Sequence, residues 1–246
     1  MALTLFISDL HLDANLPQLT DLFVQFMHEQ APKADAVYIL GDLFEAWVGD
    51  DDDRPGTQFF IDELRALSDK GIPLFIMSGN RDFLFADGFA KRCGCTLLND
   101  PCTIDLYGTS TLLMHGDSLC TDDVKHQESR GLLRSTDWKS RFLSQPLDDR
   151  IQQAKEYRSM SRKHLKDAPD AIMDVNQDAV IEAMREHHVH QLIHGHTHRP
   201  AIHTLSVDGQ AAKRIVLGDW NSQGSVLSCN ESGCTLASFE LAPHPS

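Results

Sequence analysis

Short, wholly apolar runs alternate along this chain with longer stretches in which apolar residues recur at helical spacing. Leu3–Ile7 reads as a buried strand, and Leu16–Gln30 as a helix with Leu19, Leu22, Phe23, Phe26 and Met27 as its apolar residues. Ala36–Leu40 is a second strand, Thr57–Lys70 a helix and Pro73–Met77 a third strand. Strand–helix–strand order with short connections predicts an α/β fold with a parallel sheet covered on both faces. Thr103–Tyr107 and Thr111–His115, joined by a turn containing Gly108, predict a hairpin. A helix over Val175–His188, a strand at Gln191–His194 and several β-rich segments up to Phe239 complete the pattern. It contains neither an internal repeat nor a low-complexity tract.

Between Thr121 and Asp170 the pattern changes. Strand signals vanish, Pro146 and Pro169 punctuate a helical reading, and 11 of the chain's 22 Lys and Arg residues fall in these 50 positions against 9 acidic ones. The window nets +2 while the remaining 196 residues net −16. A solvated helical surface is the plainer reading. The functional one is a helical lid with a basic face, spanning 121–170, inserted into a core formed by 1–120 and 171–246 and directed at an anionic ligand. Leu132, Leu133, Trp138, Phe142, Leu143, Leu147, Ile151 and Met160 set apolar surface among those cations. That mixture suits peripheral attachment to an anionic membrane surface, with Arg134 and Arg158 presenting lipid.

The whole chain of 246 residues is 41% hydrophobic, enough for a sizeable core, and its charge of −14 argues against a general nucleic-acid binder. No run approaches the roughly 18 apolar residues of a membrane span. MALTLFISDLHL lacks the basic region and cleavage site of a signal peptide, so a cytoplasmic location is expected. The six cysteines are accordingly expected to be reduced, and without a CxxC pair neither a zinc ribbon nor a thioredoxin-type site is available.

The chemistry stands at the strand ends. Asp9-Leu10-His11 follows the first strand, Gly41-Asp42 the second and Gly79-Asn80-Arg81-Asp82 the third. His115-Gly116-Asp117 follows the hairpin, and His194-Gly195-His196-Thr197-His198 begins at the end of the later strand. Carboxyl ends of strands in open α/β sheets line one crevice. Carboxylate, amide and imidazole converging there are ligands for Mn²⁺, Fe²⁺ or Zn²⁺. Asp9, His11, Asp42, Asn80, His115, His196 and His198 exceed the needs of one such ion, which predicts two ions sharing a carboxylate, with Asp42 best placed to bridge. Gly41, Gly79, Gly116 and Gly195 let the backbone turn and approach closely. Plainer roles go to Asp82 and Asp117 as helix caps, His194 as a packing or supporting residue, His187, His188 and His190 as surface residues, and Asp50–Asp53 as a solvated acidic loop.

D-x-H, G-D, G-N-R-D, H-G-D and G-H-T-H in this order resemble the calcineurin-like metallophosphoesterases. The strings SDLHL, YILGDLFEAWVGDDD, SGNRDFL, LMHGDSLCTDD, AIMDVNQ and LIHGHTHRPA are similar, over about residues 3–220, to the family that hydrolyses UDP-2,3-diacylglucosamine in lipid A synthesis. The resemblance implies a first cation held by Asp9, His11, Asp42 and His198 and a second by Asp42, Asn80, His115 and His196, both Mn²⁺. It further implies cleavage of the substrate's pyrophosphate to UMP and 2,3-diacylglucosamine 1-phosphate (lipid X), by water attacking the uridine-side phosphorus. Asp42, Asn80, His115 and His196 are then the catalytic set, and Asn80, Arg81, Asp123, Ser161 and His196 the substrate contacts. The work would take place on the cytoplasmic face of the inner membrane, by a protein read as a monomer. The chain departs from the family pattern at Leu165 and Ala168, where polar residues are usual, with His164 and Lys166 adjacent. GDLFEAW replaces the GDxxDRG of phosphoprotein phosphatases. Another dimetal phosphodiesterase and, less well, a non-catalytic scaffold of this fold are the competing readings.

Overall fold

The computed structural model describes residues 2–167 and 174–242, and their side chains apart from those of 162–167. Its strands are β1 Thr4–Ile7, β2 Ala36–Leu40, β3 Leu74–Met77, β4 Thr96–Leu98, β5 Cys102–Leu106, β6 Thr109–Met114, β7 Gln191–His194, β8 Ala201–Val207, β9 Gln210–Val216, β10 Gly224–Asn230 and β11 Gly233–Phe239. The helices are α1 Pro17–Gln25, α2 Pro55–Asp69, α3 Asp87–Cys93, α4 Val124–Leu133, α5 Thr136–Leu143, α6 Leu147–Asp167 and α7 Gln177–Glu186.

The apolar runs are buried on both faces because they serve two cores at once. Leu5 and Ile7 point into the cluster shared with α1, α2 and α3, while Phe6 points into a second cluster with Leu40, Met77, Leu113, Ile193, Ile215 and Leu227. Leu112, Met114 and Leu192 face a third cluster under Val180 and Met184 of α7. Side chains alternate across a strand, so each run supplies two layers. The expected single parallel sheet is therefore two sheets back to back, with helices outside. One runs β11-β10-β1-β2-β3-β4 and the other β5-β6-β7-β9-β8. β1 to β4 are parallel, but β10 joins antiparallel to β1 and β11 antiparallel to β10, and β8 and β5 close the second sheet antiparallel.

Other expectations need adjustment. The helix read over Leu16–Gln30 ends at Gln25 and continues as a wider π turn, Phe26–Gln30. Cys229 and Cys234 form a disulfide, because the β10–β11 register places them opposite each other; Cys93, Cys95, Cys102 and Cys120 are thiols. Asp50–Asp53 is solvated only in part, at Asp51 and Asp53. Asp52 is buried against Arg54 and Thr57, and the Asp50 carboxylate accepts from the Phe89 amide at 2.8 Å and the Trp47 indole at 3.1 Å.

The segment carrying α4, α5 and α6 packs on the β2 and β3 loops. Trp138 lies 5.8 Å from the Phe83 ring, and Phe142 is buried in the main core, where Leu147 and Ile151 join it. Those side chains, expected among lipid-facing ones, instead seat the helices; Leu132, Leu143 and Met160 stay exposed. Arg150, buried, donates to the Val48 carbonyl and pairs with Asp51. Arg134 donates to the Gly79 carbonyl at 3.0 Å and faces Asp117 at 3.4 Å, so its guanidinium is turned to the β3 loop. His164, Leu165 and Lys166 have no described side chains, and Ala168 lies outside the described residues. Among the described residues no helix is long and apolar enough to cross a membrane.

Candidate active site

At the carboxyl ends of β1, β2 and β7 the backbone enters the left-handed region at Asp9 (φ 54°), His11 (48°), Asp42 (51°), His196 (69°) and His198 (54°). Each costs on the order of 1 kcal/mol for a residue with a Cβ. The turns are locked by main-chain bonds between strand ends, Asp9 N–H to Gly41 O at 3.1 Å, His11 N–H to Asp42 O at 2.9 Å and Gly195 N–H to His115 O at 2.9 Å. Backbone strain gathered at one edge marks a working site.

Two groups of donor atoms result. Asp9, His11 and His198 bring ligand atoms within 4.8 Å of one another, as do Asp9, Asp42 and His115. His11 Nε2 lies 3.4 Å from His198 Nε2, which is 3.4 Å from Asp9 Oδ1. On the other side Asn80 Oδ1 lies 2.9 Å from His115 Nε2 and 3.0 Å from His196 Nδ1. Asp42 stands between the groups, Oδ2 at 3.9 Å from His11 Nε2 and Oδ1 at 3.6 Å from His115 Nε2. Asp9 borders both groups as well, but its Oδ2 is taken by Ser8 Oγ at 2.6 Å and the His196 amide at 2.9 Å. Asp42 alone of the two aims a different oxygen at each group.

This donor set fits divalent cations. Among the described residues the buried Asp9 Oδ1, which faces His198, has no hydrogen-bond partner. His115 Nδ1 lies 2.9 Å from the Leu40 carbonyl, which assigns the proton there and leaves the Nε2 lone pair facing the site. Burial pulls His11 down to about 4 and, with the charge of His115, His196 down to about 3, so both rings are neutral near pH 7. Burial opposes ionisation of Asp9, but His198, His115 and His11 outweigh it and hold the carboxyl well below its usual range. At His115 burial is likewise outweighed, by Asp42, Asp117 and Asp9, and the ring is raised to about 9: the site's carboxylates demand positive charge.

Of the other expected residues, Arg81 touches the cluster, while Asp123 and Ser161 belong to the inserted helices. Arg81 donates its amide to Asp42 Oδ1 at 2.8 Å and carries its guanidinium beside the same carboxylate, Nε 4.0 Å from Oδ2. Asp123 caps α4 by accepting the His126 amide at 3.0 Å, and Ser161 lies on α6. Asp82 and Asp117, expected as helix caps, cap no described helix. The buried Asp82 accepts the Gly79 amide at 2.6 Å and the Leu43 amide at 2.7 Å, bracing the β3 loop against the β2 loop, and burial and Asp42 raise it to about 7. The buried Asp117 accepts from Arg130 at 2.9 Å and so anchors α4.

Three residues escaped the sequence reading. Glu45 Oε2 lies 3.6 Å from His11 Nδ1, and Asp219 Oδ2 3.5 Å from His198 Nδ1, so a carboxylate stands behind each of those rings. His126 of α4 stacks on His196 at 5.4 Å. Asp219 follows Gly218 at a strand end just as Asp42 follows Gly41, the same signal at an unconsidered strand; Glu45 and His126 carry no pattern of their own.

His194 is buried beside the site, its Nδ1 2.8 Å from the Gly195 carbonyl, and burial lowers it from the ordinary 6.5 to about 4. The folded chain thus binds fewer protons there than the unfolded one. The stability it contributes is complete above pH 6.5 and drains away as pH falls towards 4, by about 3 kcal/mol from this group. His194→Asn keeps a donor for the Gly195 carbonyl and removes the titration. Denaturant midpoints of the chelated proteins should diverge below pH 6.5, the wild type losing more; parallel curves would refute the assignment.

Back-to-back mixed sheets with ligand-rich turns at their carboxyl edge define a metallophosphoesterase of the calcineurin-like class, and the calcineurin-like phosphoesterase family profile matches residues 3–200. An archaeal phosphodiesterase of solved structure shares the fold, with a TM-score of 0.51 at 13% identity over 97% of this chain and 99% of that one. Curated relatives narrow the class. UDP-2,3-diacylglucosamine hydrolase of Stenotrophomonas maltophilia K279a is 50% identical over 95% of this chain and 97% of its own length. The Pseudomonas paraeruginosa protein of that name is 50% identical over 96% and 99%, and that of Cellvibrio japonicus 45% over 97% and 99%. The chain belongs to the UDP-2,3-diacylglucosamine hydrolase family.

Proposed function

We propose that this chain hydrolyses the pyrophosphate bond of UDP-2,3-diacylglucosamine to UMP and 2,3-diacylglucosamine 1-phosphate. Water would attack the uridine-side phosphorus with two Mn²⁺ bound. The observation that carries the reading is Asp42, one oxygen towards His11 and the other towards His115. Asp9, His11, Asp42 and His198 would hold one cation, and Asp42, Asn80, His115 and His196 the other. When bound, such ions lower the pKa of a coordinated water from ~15.7 towards ~7 and offset charge on phosphoryl oxygens.

The chain's own residues do the rest. The Leu40 carbonyl fixes the His115 ring through Nδ1 and so presents Nε2 beside Asn80 Oδ1. Asn80 Oδ1 faces His196 Nδ1 as well, so the amide oxygen and two imidazole nitrogens converge on one point. Arg81, steered by its amide bond to Asp42, offers a planar fork of donors to the pyrophosphate oxygens. The leaving group is itself a phosphate and needs little protonation, so no strong general acid is required.

The 121–170 segment serves as the lid. A cavity of about 790 Å³ lies between α6 and the β1 and β2 loops, lined by Leu12, Phe44, Val48, Phe60, Ile151 and Ala154, with Glu45 and Arg158 among its polar walls. Its size suits acyl chains along the apolar wall, while Asp13, Arg54 and Lys155 make the remainder polar. The exposed Val124, Leu132, Leu143, Tyr157 and Met160 beside the segment's cations support peripheral binding to the cytoplasmic face of the inner membrane, by a monomer.

The test is turnover of UDP-2,3-diacylglucosamine beside ADP-ribose and a phenyl phosphodiester, with Mn²⁺ and with chelator. Strong preference for the lipid, lost on chelation, is expected; preference for either simpler substrate overturns the assignment. Co-sedimentation with anionic liposomes should be strong at low salt and weak at high salt. Equal recovery in the supernatant under both conditions would remove the membrane reading.

A further inference from the structure

Behind the first group of donors runs a contact that the hydrolytic reading does not use. His11 aims Nε2 at His198 and Asp42 and turns Nδ1 towards Glu45 Oε2, 3.6 Å away. Glu45 is fixed from below by its amide, which donates to the Leu12 carbonyl at 3.2 Å. Its other oxygen, Oε1, pairs with the guanidinium of Arg158, which belongs to α6. All three side chains are largely enclosed, at 19%, 22% and 15% exposure. An unbroken line thus joins the long helix of the inserted segment to a ring facing the cation site: Arg158, Glu45, His11.

We infer that Glu45 is a positioning residue for His11, and that Arg158 sets Glu45, so that seating of α6 and cation affinity are linked. The inference rests on the two-cation reading. A ligating imidazole is oriented, and its basicity raised, by a carboxylate on its outer nitrogen. Here that carboxylate is itself held by a residue of the helix that walls the 790 Å³ cavity. Linkage is reciprocal: whatever α6 does for the cation, the cation does for α6. A substrate that displaces α6 would loosen the first cation site, and one that seats it would tighten it.

The experiment is titration of chelator-stripped full-length protein with Mn²⁺, reading unbound Mn²⁺ by electron paramagnetic resonance. Wild type should take up two ions. Glu45→Ala should weaken one of them by about 10- to 100-fold and Glu45→Gln by less, since the amide oxygen still faces His11 Nδ1 but carries no charge. Arg158→Gln should weaken the same ion several-fold, yet add nothing in the Glu45→Ala background, because its effect passes through Glu45. Melting of the chelated variants confirms that they fold. As a second readout, Mn²⁺ should slow hydrogen exchange in the α6 amides of wild type and not of Glu45→Ala. If wild type takes two ions and Glu45→Ala binds both equally well, this inference fails and the two-cation reading survives. An additive Arg158 effect, or α6 exchange blind to Mn²⁺, also overturns it, whereas wild type that takes up no Mn²⁺ overturns both.

Discussion

Asp42→Ala is expected to abolish hydrolysis, by on the order of 10³-fold or more, while leaving the metal-free protein as stable as wild type or more so. Both halves follow from what surrounds the carboxylate. Its oxygens face His11 and His115 from opposite sides, and Oδ1 also accepts the Arg81 amide, so removal separates the two donor groups and releases the loop that carries Asn80 and Arg81. In the chelated protein the same carboxylate is a burden. Asp82, fully buried next to it, is raised to about 7 by burial and by the Asp42 charge. A carboxyl whose folded pKa stands above its unfolded 3.8 costs stability as pH rises from about 4 through 7. Removing Asp42 relieves part of that cost. Calorimetry at pH 8 should therefore show chelated variant and wild type melting together, or the variant higher, and Mn²⁺ should raise the wild-type melting temperature alone. Equal elevation of both by Mn²⁺ would mean that Asp42 is not a shared ligand.

The difference between what the sequence discloses and what it hides is itself physical. Seven candidate ligands were legible because they stand where apolar runs stop, and the structure brings all seven to one edge. The division into two sheets was not legible. Leu112, Leu113 and Met114 form one unbroken apolar run, yet Leu113 faces the core between the sheets and its neighbours face α7. A run buried on both sides is silent about what covers each side. α3, with seven residues, and β4, with three, are too short to show a period. The Cys229–Cys234 pair depends on strand register, and Glu45 and Arg158, far apart in sequence, depend on where α6 lies. Charge patterning marked residues 121–170 as unusual, but it could not reveal that Arg130, Arg134 and Arg150 are taken up by protein partners, Asp117, the Gly79 carbonyl and Asp51.

Gly79→Ala is expected to cost nearly as much activity as losing a ligand, although glycine carries no functional group. A Cβ at this position would stand 2.1 Å from Asp42 Oδ1 and 2.5 Å from the Asp42 backbone nitrogen. The second contact decides the outcome, because main chain cannot swing aside as a side-chain tip can. Nor can residue 79 retreat easily: its amide donates to the buried Asp82 at 2.6 Å and its carbonyl accepts from Arg134 at 3.0 Å. Overpacking of this kind costs about 1–3 kcal/mol in stability. Displacing the Asp42 carboxylate by about 1 Å is expected to cost on the order of 10²-fold in rate. Mn²⁺ uptake should weaken in parallel, since Asn80, the next residue, moves with the loop. Gly131→Ala in α4 is the control, because nothing lies within 4 Å of its added methyl. It should keep full activity and gain up to about 1 kcal/mol of helix stability. Steady-state kinetics with Mn²⁺ titrations on both variants separate the causes. If Gly79→Ala turned over substrate at the wild-type rate, the close approach of the β2 and β3 loops would be incidental, and the bridge between the donor groups would have to be sought at Asp9.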